Sequence, residues 1–136
     1  MKIEVFDFET INVGGRLVPY CLSYTDEDKV FVEVFKDCDQ SAISDFIVTR
    51  FKPEVVYYAH NLAFDFFLFF RGLLSNCIKY NWVYINYDLY EVIIWGCNKK
   101  ITLRCSNKLI PFKLQDFYPS LTDYKKLYFP YECMKS

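Results

Sequence analysis

The stretch from Lys2 to Thr10 constrains this chain more than any other. It alternates as a strand does, with Phe6 and Phe8 on one face and Ile3, Val5, Asp7 and Glu9 on the other. Large apolar side chains stand on both faces, which predicts a central strand covered on both sides. From this strand to Phe35 the pattern is that of a β-meander. Asn12-Val13-Gly14-Gly15 is a turn signal, Leu17 to Tyr24 a second strand, Asp26-Glu27-Asp28 a turn, and Val30 to Phe35 a third strand.

Beyond the meander the period changes. Ile43, Phe46, Ile47 and Phe51 fall at helical spacing after Asp39, a suitable N-cap, and predict a helix over Ser41 to Phe51. Glu54 to Ala59 reads as a short strand and Leu62 to Leu74 as an intensely apolar helix. Tyr90 to Cys97 and Ile101 to Cys105 read as two strands around Asn98-Lys99-Lys100. A helical or irregular tail is expected after that, since Pro111, Pro119 and Pro130 prevent long regular elements. The expectation is a mixed α/β chain, one domain over residues 1–136, with no linker to a second.

Composition removes several classes. Apolar residues at 53% and aromatic residues at 21% rule out disorder. A formal charge of −1 gives the chain as a whole no attraction for nucleic acid or anionic membrane, so contact with such partners must be local. The longest apolar stretch, Val55 to Phe70, is broken by His60, Asn61 and Asp65, which argues against a membrane span. Six cysteines carry no CxxC pair, and His60 is the single histidine, so they read as free thiols in a reducing compartment, not as a zinc site. No signal peptide is apparent at the N-terminus. Phe, Tyr, Ile, Lys and Asn, with A/T-rich codons, total 55 against 16 for Gly, Ala, Arg and Pro. That skew suggests an organellar, plasmid or viral genome.

Two features carry chemistry. Asp7 and Glu9 leave the same face of the first strand, and paired carboxylates repel unless a cation sits between them. A hard, oxygen-liganded metal such as Mg²⁺ or Mn²⁺ suits them, although a solvated strand end has the same pattern. Asp65 shares a helical stripe with Leu62, Phe66 and Phe69. An ionised carboxylate there is costly unless paired, hydrogen-bonded or metal-bound, and Arg71, six residues on, is out of local reach. An acid/base hydrolase working without metal is disfavoured, because that stripe is too apolar for a sugar cleft.

The full strings are Phe6-Asp7-Phe8-Glu9-Thr10 and Tyr58-Ala59-His60-Asn61-Leu62-Ala63-Phe64-Asp65. With them the sequence resembles the 3′→5′ proofreading exonuclease domain of family B DNA polymerases. Within that family it is similar to the protein-primed branch of mitochondrial linear plasmids and some viruses. The first string matches the family's D-x-E motif and the second its N-x-x-F-D motif. Ile101 to Ser106 with Leu109-Ile110-Pro111-Phe112 is a looser match to the segment that contacts the primer end, and Tyr128-Phe129-Pro130-Tyr131 to a stretch of organellar members.

The resemblance implies a ribonuclease-H-like fold, a mixed β-sheet with flanking helices, and a site for two divalent metal ions, Mg²⁺ or Mn²⁺. Asp7 would bridge both ions, Glu9 complete the shell of the first, and Asp65 serve the second. Thr10, Asn61, Phe64 and Ser106 would hold the last nucleotides of a single-stranded DNA 3′ end; for Phe64, plain core packing is the competing reading. His60 is read as a structural hydrogen-bonder. In the parent the implied partners are a polymerase domain and a terminal protein, with a mitochondrial location, or alternatively a virus or the host cytoplasm, and no secretion.

Three departures qualify the match. Cys105 stands where relatives have Asp, and Asn107 where they have Leu. The third exonuclease motif, Y-x-x-x-D, supplies a fourth carboxylate. Tyr84 to Asp88 has the spacing but precedes the strands that should come before that motif, and about one such pair is expected by chance. The expectation is thus a partial exonuclease domain that ends before this motif and before its last helix, with an incomplete metal site and with slow or no digestion of single-stranded DNA. A relic or nucleic-acid-binding module of the same fold is the alternative.

Overall fold

A computed structural model of the chain describes residues 2–106. The tail, with the readings at Asn107, Leu109 to Phe112 and Tyr128 to Tyr131, lies outside the described residues. Seven strands form one mixed sheet, flanked by three helices, which is the α/β class expected. In chain order the elements are β1 (Lys2–Val13), β2 (Arg16–Asp26), β3 (Lys29–Val34), α1 (Gln40–Arg50), β4 (Val55–Ala59), α2 (Leu62–Phe67), α3 (Phe70–Ser75), β5 (Lys79–Ile85), β6 (Asp88–Gly96) and β7 (Lys99–Cys105). Across the sheet the order is β3-β2-β1-β4-β7-β6-β5.

The strand expected to be central is central. β1 pairs antiparallel with β2 and parallel with β4, and β4 pairs parallel with β7. Phe6 and Phe8 are buried in the core with Leu22, Ile43, Ile47 and Phe51, while Val5 and Glu9 are buried from the other face. Four of the hairpin and meander turns carry paired positive φ angles, at Gly14-Gly15, Glu27-Asp28, Asn86-Tyr87 and Cys97-Asn98. That backbone matches the right-handed twist of the strands it joins. Asp39 caps α1 as expected, its carboxylate accepting the Ser41 N–H at 3.0 Å.

Two expectations change. The helix expected over Leu62 to Leu74 is two short helices with a break at Leu68 and Phe69. On a straight helix Leu68 would point roughly 200° away from Phe66. The break lets Phe66, Leu68, Phe69 and Leu73 all be buried. The Phe69 carbonyl is satisfied by the Gly72 N–H at 2.9 Å and by the Ser44 hydroxyl at 2.9 Å. α3 lies close against α1 here, and a Cβ on Gly72 would collide with the Gln40 carbonyl and the Ser44 hydroxyl. The second change is β5, an edge strand where none was expected. Among the described residues, no helix is long and apolar enough to cross a membrane.

Candidate functional site

Strand register decides where the predicted residues stand. β1 pairs with β4 from Lys2↔Val55 to Val5↔Tyr58, and β4 with β7 from Val56↔Thr102 to Ala59↔Cys105. β1 therefore runs on past the last paired residue of β4, carrying Asp7 and Glu9 beyond the carboxyl end of that strand. His60 and Asn61 leave β4 at the same end, and Ser106 follows β7 there. Ligands of open α/β sheets bind in the crevice outside such strand ends.

Once β4 has turned away, the N–H of Phe8 needs another acceptor. Asp65 supplies it: its Oδ1 accepts the Phe8 N–H at 3.0 Å from the first turn of α2. The carboxylate is only 3% exposed and so is lodged against the one amide between Asp7 and Glu9. Burial, reinforced by the negative charge of Glu9 and opposed by the Phe8 hydrogen bond, pushes the Asp65 carboxyl up to about 7. Burial also raises Glu9. Opposite Glu9, on β2, burial and the Glu9 charge push the Cys21 thiol up to about 12.

Asp7 is half-buried on the same face as Glu9, across from the buried Ser23. Thr10 is half-buried and follows a shift of register between Glu9 and Thr10. Irregularities of this kind re-aim side chains beside functional sites. Asn61 caps α2, its side-chain oxygen accepting the Phe64 N–H at a long 3.5 Å. Phe64 is 42% exposed, so the core-packing reading of that residue is wrong. Ser106 is buried and its hydroxyl donates to the Ala59 carbonyl at 3.3 Å, while the Cys105 thiol donates to the His60 carbonyl at 3.5 Å. Of the His60 ring, read as a structural hydrogen-bonder, Nδ1 is buried and has no hydrogen-bond partner among the described residues.

Asp65 and Glu9 are thus brought into electrostatic contact, and Asn61, Phe64 and Ser106 gather at the same strand ends. Among the described residues, no three His, Cys, Asp or Glu side chains are grouped to hold a metal ion. Glu9 and Asp65, two buried carboxylates of like charge, have the donor chemistry that a hard divalent cation relieves. The residues fit such an ion as a pair. Tyr84 and Asp88 stand at the β5–β6 hairpin on the far edge of the sheet, remote from Asp7. Tyr24 to Asp28 has the same spacing and lies at the opposite end of β1, by the β2–β3 turn. A cavity of about 530 Å³ at that end, lined by Glu4, Thr25 and Glu27 among others, holds none of the predicted residues.

Cys21 and Ser23 were not foreseen as walls of the site, since only the β1–β2 register brings them there. No family model and no curated protein matches the sequence. Solved structures do match. Phi29 DNA polymerase complexed with primer-template DNA and incoming nucleotide substrates superposes with a TM-score of 0.65 at 19% identity, over 87% of this chain and 23% of that one. The same polymerase complexed with single-stranded DNA gives 0.62 at 19% identity, over 87% and 23%. What is shared is the fold. An orthorhombic crystal form gives 0.62 at 20% identity, with the same coverage. The chain spans about a quarter of the length of that polymerase.

Proposed function

We propose that this chain is related to the family B, protein-primed DNA polymerases and carries the greater part of a 3′→5′ exonuclease site acting on single-stranded DNA ends. The observation that carries the reading is the Asp65 carboxylate, held by the Phe8 N–H between Asp7 and Glu9 in a fold shared with phi29 DNA polymerase. Asp7, Glu9 and Asp65 would hold divalent metal, Mg²⁺ or Mn²⁺. Bound there, the metal would supply charge neutralisation at the phosphate and a hydroxide at neutral pH.

The chain's own residues do the rest. Phe8 fixes the Asp65 carboxylate, and the raised affinity of Glu9 and Asp65 for a proton marks how strongly the pair favours added positive charge. Phe64 offers an exposed ring for a base of any identity. Asn61, Thr10 and Ser106 line the path of the strand. The A/T-coded composition supports an organellar or plasmid gene, with the polymerase domain and a terminal protein as partners in the parent.

The test is Mg²⁺- or Mn²⁺-dependent release of 3′ mononucleotides from a labelled oligonucleotide, with Asp7→Ala as control. Release that needs the metal and disappears in Asp7→Ala is expected; release that survives EDTA or Asp7→Ala sinks the assignment. A second reading, a module that binds DNA without cutting it, is favoured by the lack of a three-residue metal group among the described residues. Binding of single-stranded DNA with no release under either metal would select it.

A further inference from the structure

Among the described residues the sheet has two edges, β3 and β5, and they are built differently. β3 carries Lys29 and Glu33 within six residues, the kind of charge that keeps an edge from pairing with another chain. β5, Lys79-Tyr80-Asn81-Trp82-Val83-Tyr84-Ile85, has a single charge, at its first residue, and neither Pro nor Gly. Val83, Tyr84 and Ile85 are 44%, 48% and 45% exposed. The strand is also unbroken. Val83 pairs with Glu91 and Tyr84 with Leu89, so the extra residue of that irregularity, Tyr90, lies on β6.

Backbone groups along an antiparallel strand point alternately toward its partner and away from it. Ile85 and Asp88 close the two-residue Asn86-Tyr87 turn, and in a hairpin of that length the closing pair bond to each other. The N–H and C=O groups of Tyr84, Trp82 and Tyr80 therefore point away from β6. The Trp82 N–H is met there by the Asn81 side-chain oxygen at 3.0 Å, a local stand-in for a strand partner. We infer that β5 is the interface of a two-fold dimer, in which the β5 strands of two copies pair antiparallel about Trp82 and join the two sheets into one. That register is self-complementary. Trp82 meets its own copy and Tyr80 meets Tyr84, while on the other face Asn81 meets Val83 and Lys79 meets Ile85. The charges agree with it: the β5–β6 hairpin carries Lys79, Asp88 and Glu91, and Glu91 is bridged to Arg104 at 2.7 Å. Since Ile85 pairs with Asp88, Lys79 of one copy falls in a row with Asp88 of the other, twice per dimer. Parallel pairing would instead set Lys79 beside Lys79. The contact lies at the sheet edge beyond β4, β7 and β6 from β1 and does not depend on the carboxylate chemistry there.

Sedimentation velocity of the full chain over the micromolar range is expected to show a reversible equilibrium of monomer and dimer. Tyr84→Pro removes an outward N–H and leaves the bonds to β6 in place, and Val83→Lys puts a charge on an exposed position of the edge. Each is expected to leave a monomer, and Val83→Lys, which changes only an exposed side chain, to keep the circular dichroism of the parent. The ion pairs test the register. Lys79→Glu and Asp88→Lys are each expected to weaken the dimer several-fold, because like charges then face each other across the interface. An equal mixture of the two is expected to associate several-fold more tightly than either alone, since both contacts of the mixed dimer are again of opposite charge. A chain that stays monomeric overturns the inference, as does a dimer that Tyr84→Pro and Val83→Lys leave intact. A mixture no tighter than its components overturns the antiparallel register. Open assemblies that keep growing with concentration assign the edge to β3 of the next copy and overturn the dimer.

Discussion

Asp65 accepts the backbone N–H of Phe8 at 3.0 Å across 57 positions of sequence, and this bond sets the acidic residues of α2 and β1 against each other. It also separates two roles of the carboxylate. One oxygen closes a backbone donor left by the departure of β4; the charge is an added cost that a bound proton or a cation offsets.

Asp65→Asn keeps an oxygen for Phe8 and discards the buried charge. In metal-free solution at pH 8 it is expected to be at least as stable as the parent. Asp65→Ala leaves the Phe8 N–H without its acceptor and is expected to cost about 1–3 kcal/mol. Urea denaturation of the two variants beside the parent checks both.

The same carboxyl makes stability depend on pH. Its folded-state affinity for a proton is raised to about 7, above the roughly 3.9 of an unfolded Asp, and Glu9 is raised in the same sense. Between those limits the folded chain binds more protons than the unfolded one, so unfolding free energy falls as pH rises. The metal-free chain is expected to be more stable at pH 5 than at pH 8, and Asp65→Asn to flatten the difference. Denaturation midpoints in EDTA at the two pH values measure it.

Gly72 tests the packing of α3 on α1. Its Cα faces the Gln40 carbonyl and the Ser44 hydroxyl with no room for a methyl group. Gly72→Ala is expected to destabilise the chain by roughly 1–3 kcal/mol despite the better helix propensity of Ala, read as a lower denaturation midpoint.

Phe64 separates stability from binding. Being 42% exposed, it is expected to change stability by less than about 0.5 kcal/mol on truncation to Ala. Its loss as a stacking surface is expected to weaken single-stranded DNA binding by about 1–3 kcal/mol, measured by fluorescence anisotropy.

Much of this arrangement was legible. The two-faced apolar pattern of Lys2 to Thr10 announced a central strand, Asp39 announced the start of α1, and the awkward burial of Asp65 announced a special residue. Its partner was not legible, because a backbone N–H at Phe8 carries no sequence signal and becomes free only when β4 leaves. The break between α2 and α3 has no Gly or Pro to mark it; it follows from the demand that Leu68 be buried along with Phe66. β5 escaped because, as an edge strand, it exposes Val83 and Ile85 as well as Tyr84, so no polar face alternates with an apolar one. The Asn86-Tyr87 turn also lacks the Gly that usually marks a two-residue hairpin.

The proposed binding of a divalent cation by Asp7, Glu9 and Asp65 is tested most directly by Mn²⁺ titration followed by electron paramagnetic resonance. At pH 8 the parent chain is expected to deplete the free Mn²⁺ signal saturably, and Asp7→Ala, Glu9→Gln and Asp65→Asn each to weaken that depletion by tenfold or more. Depletion equal in the parent and all three variants would contradict the account.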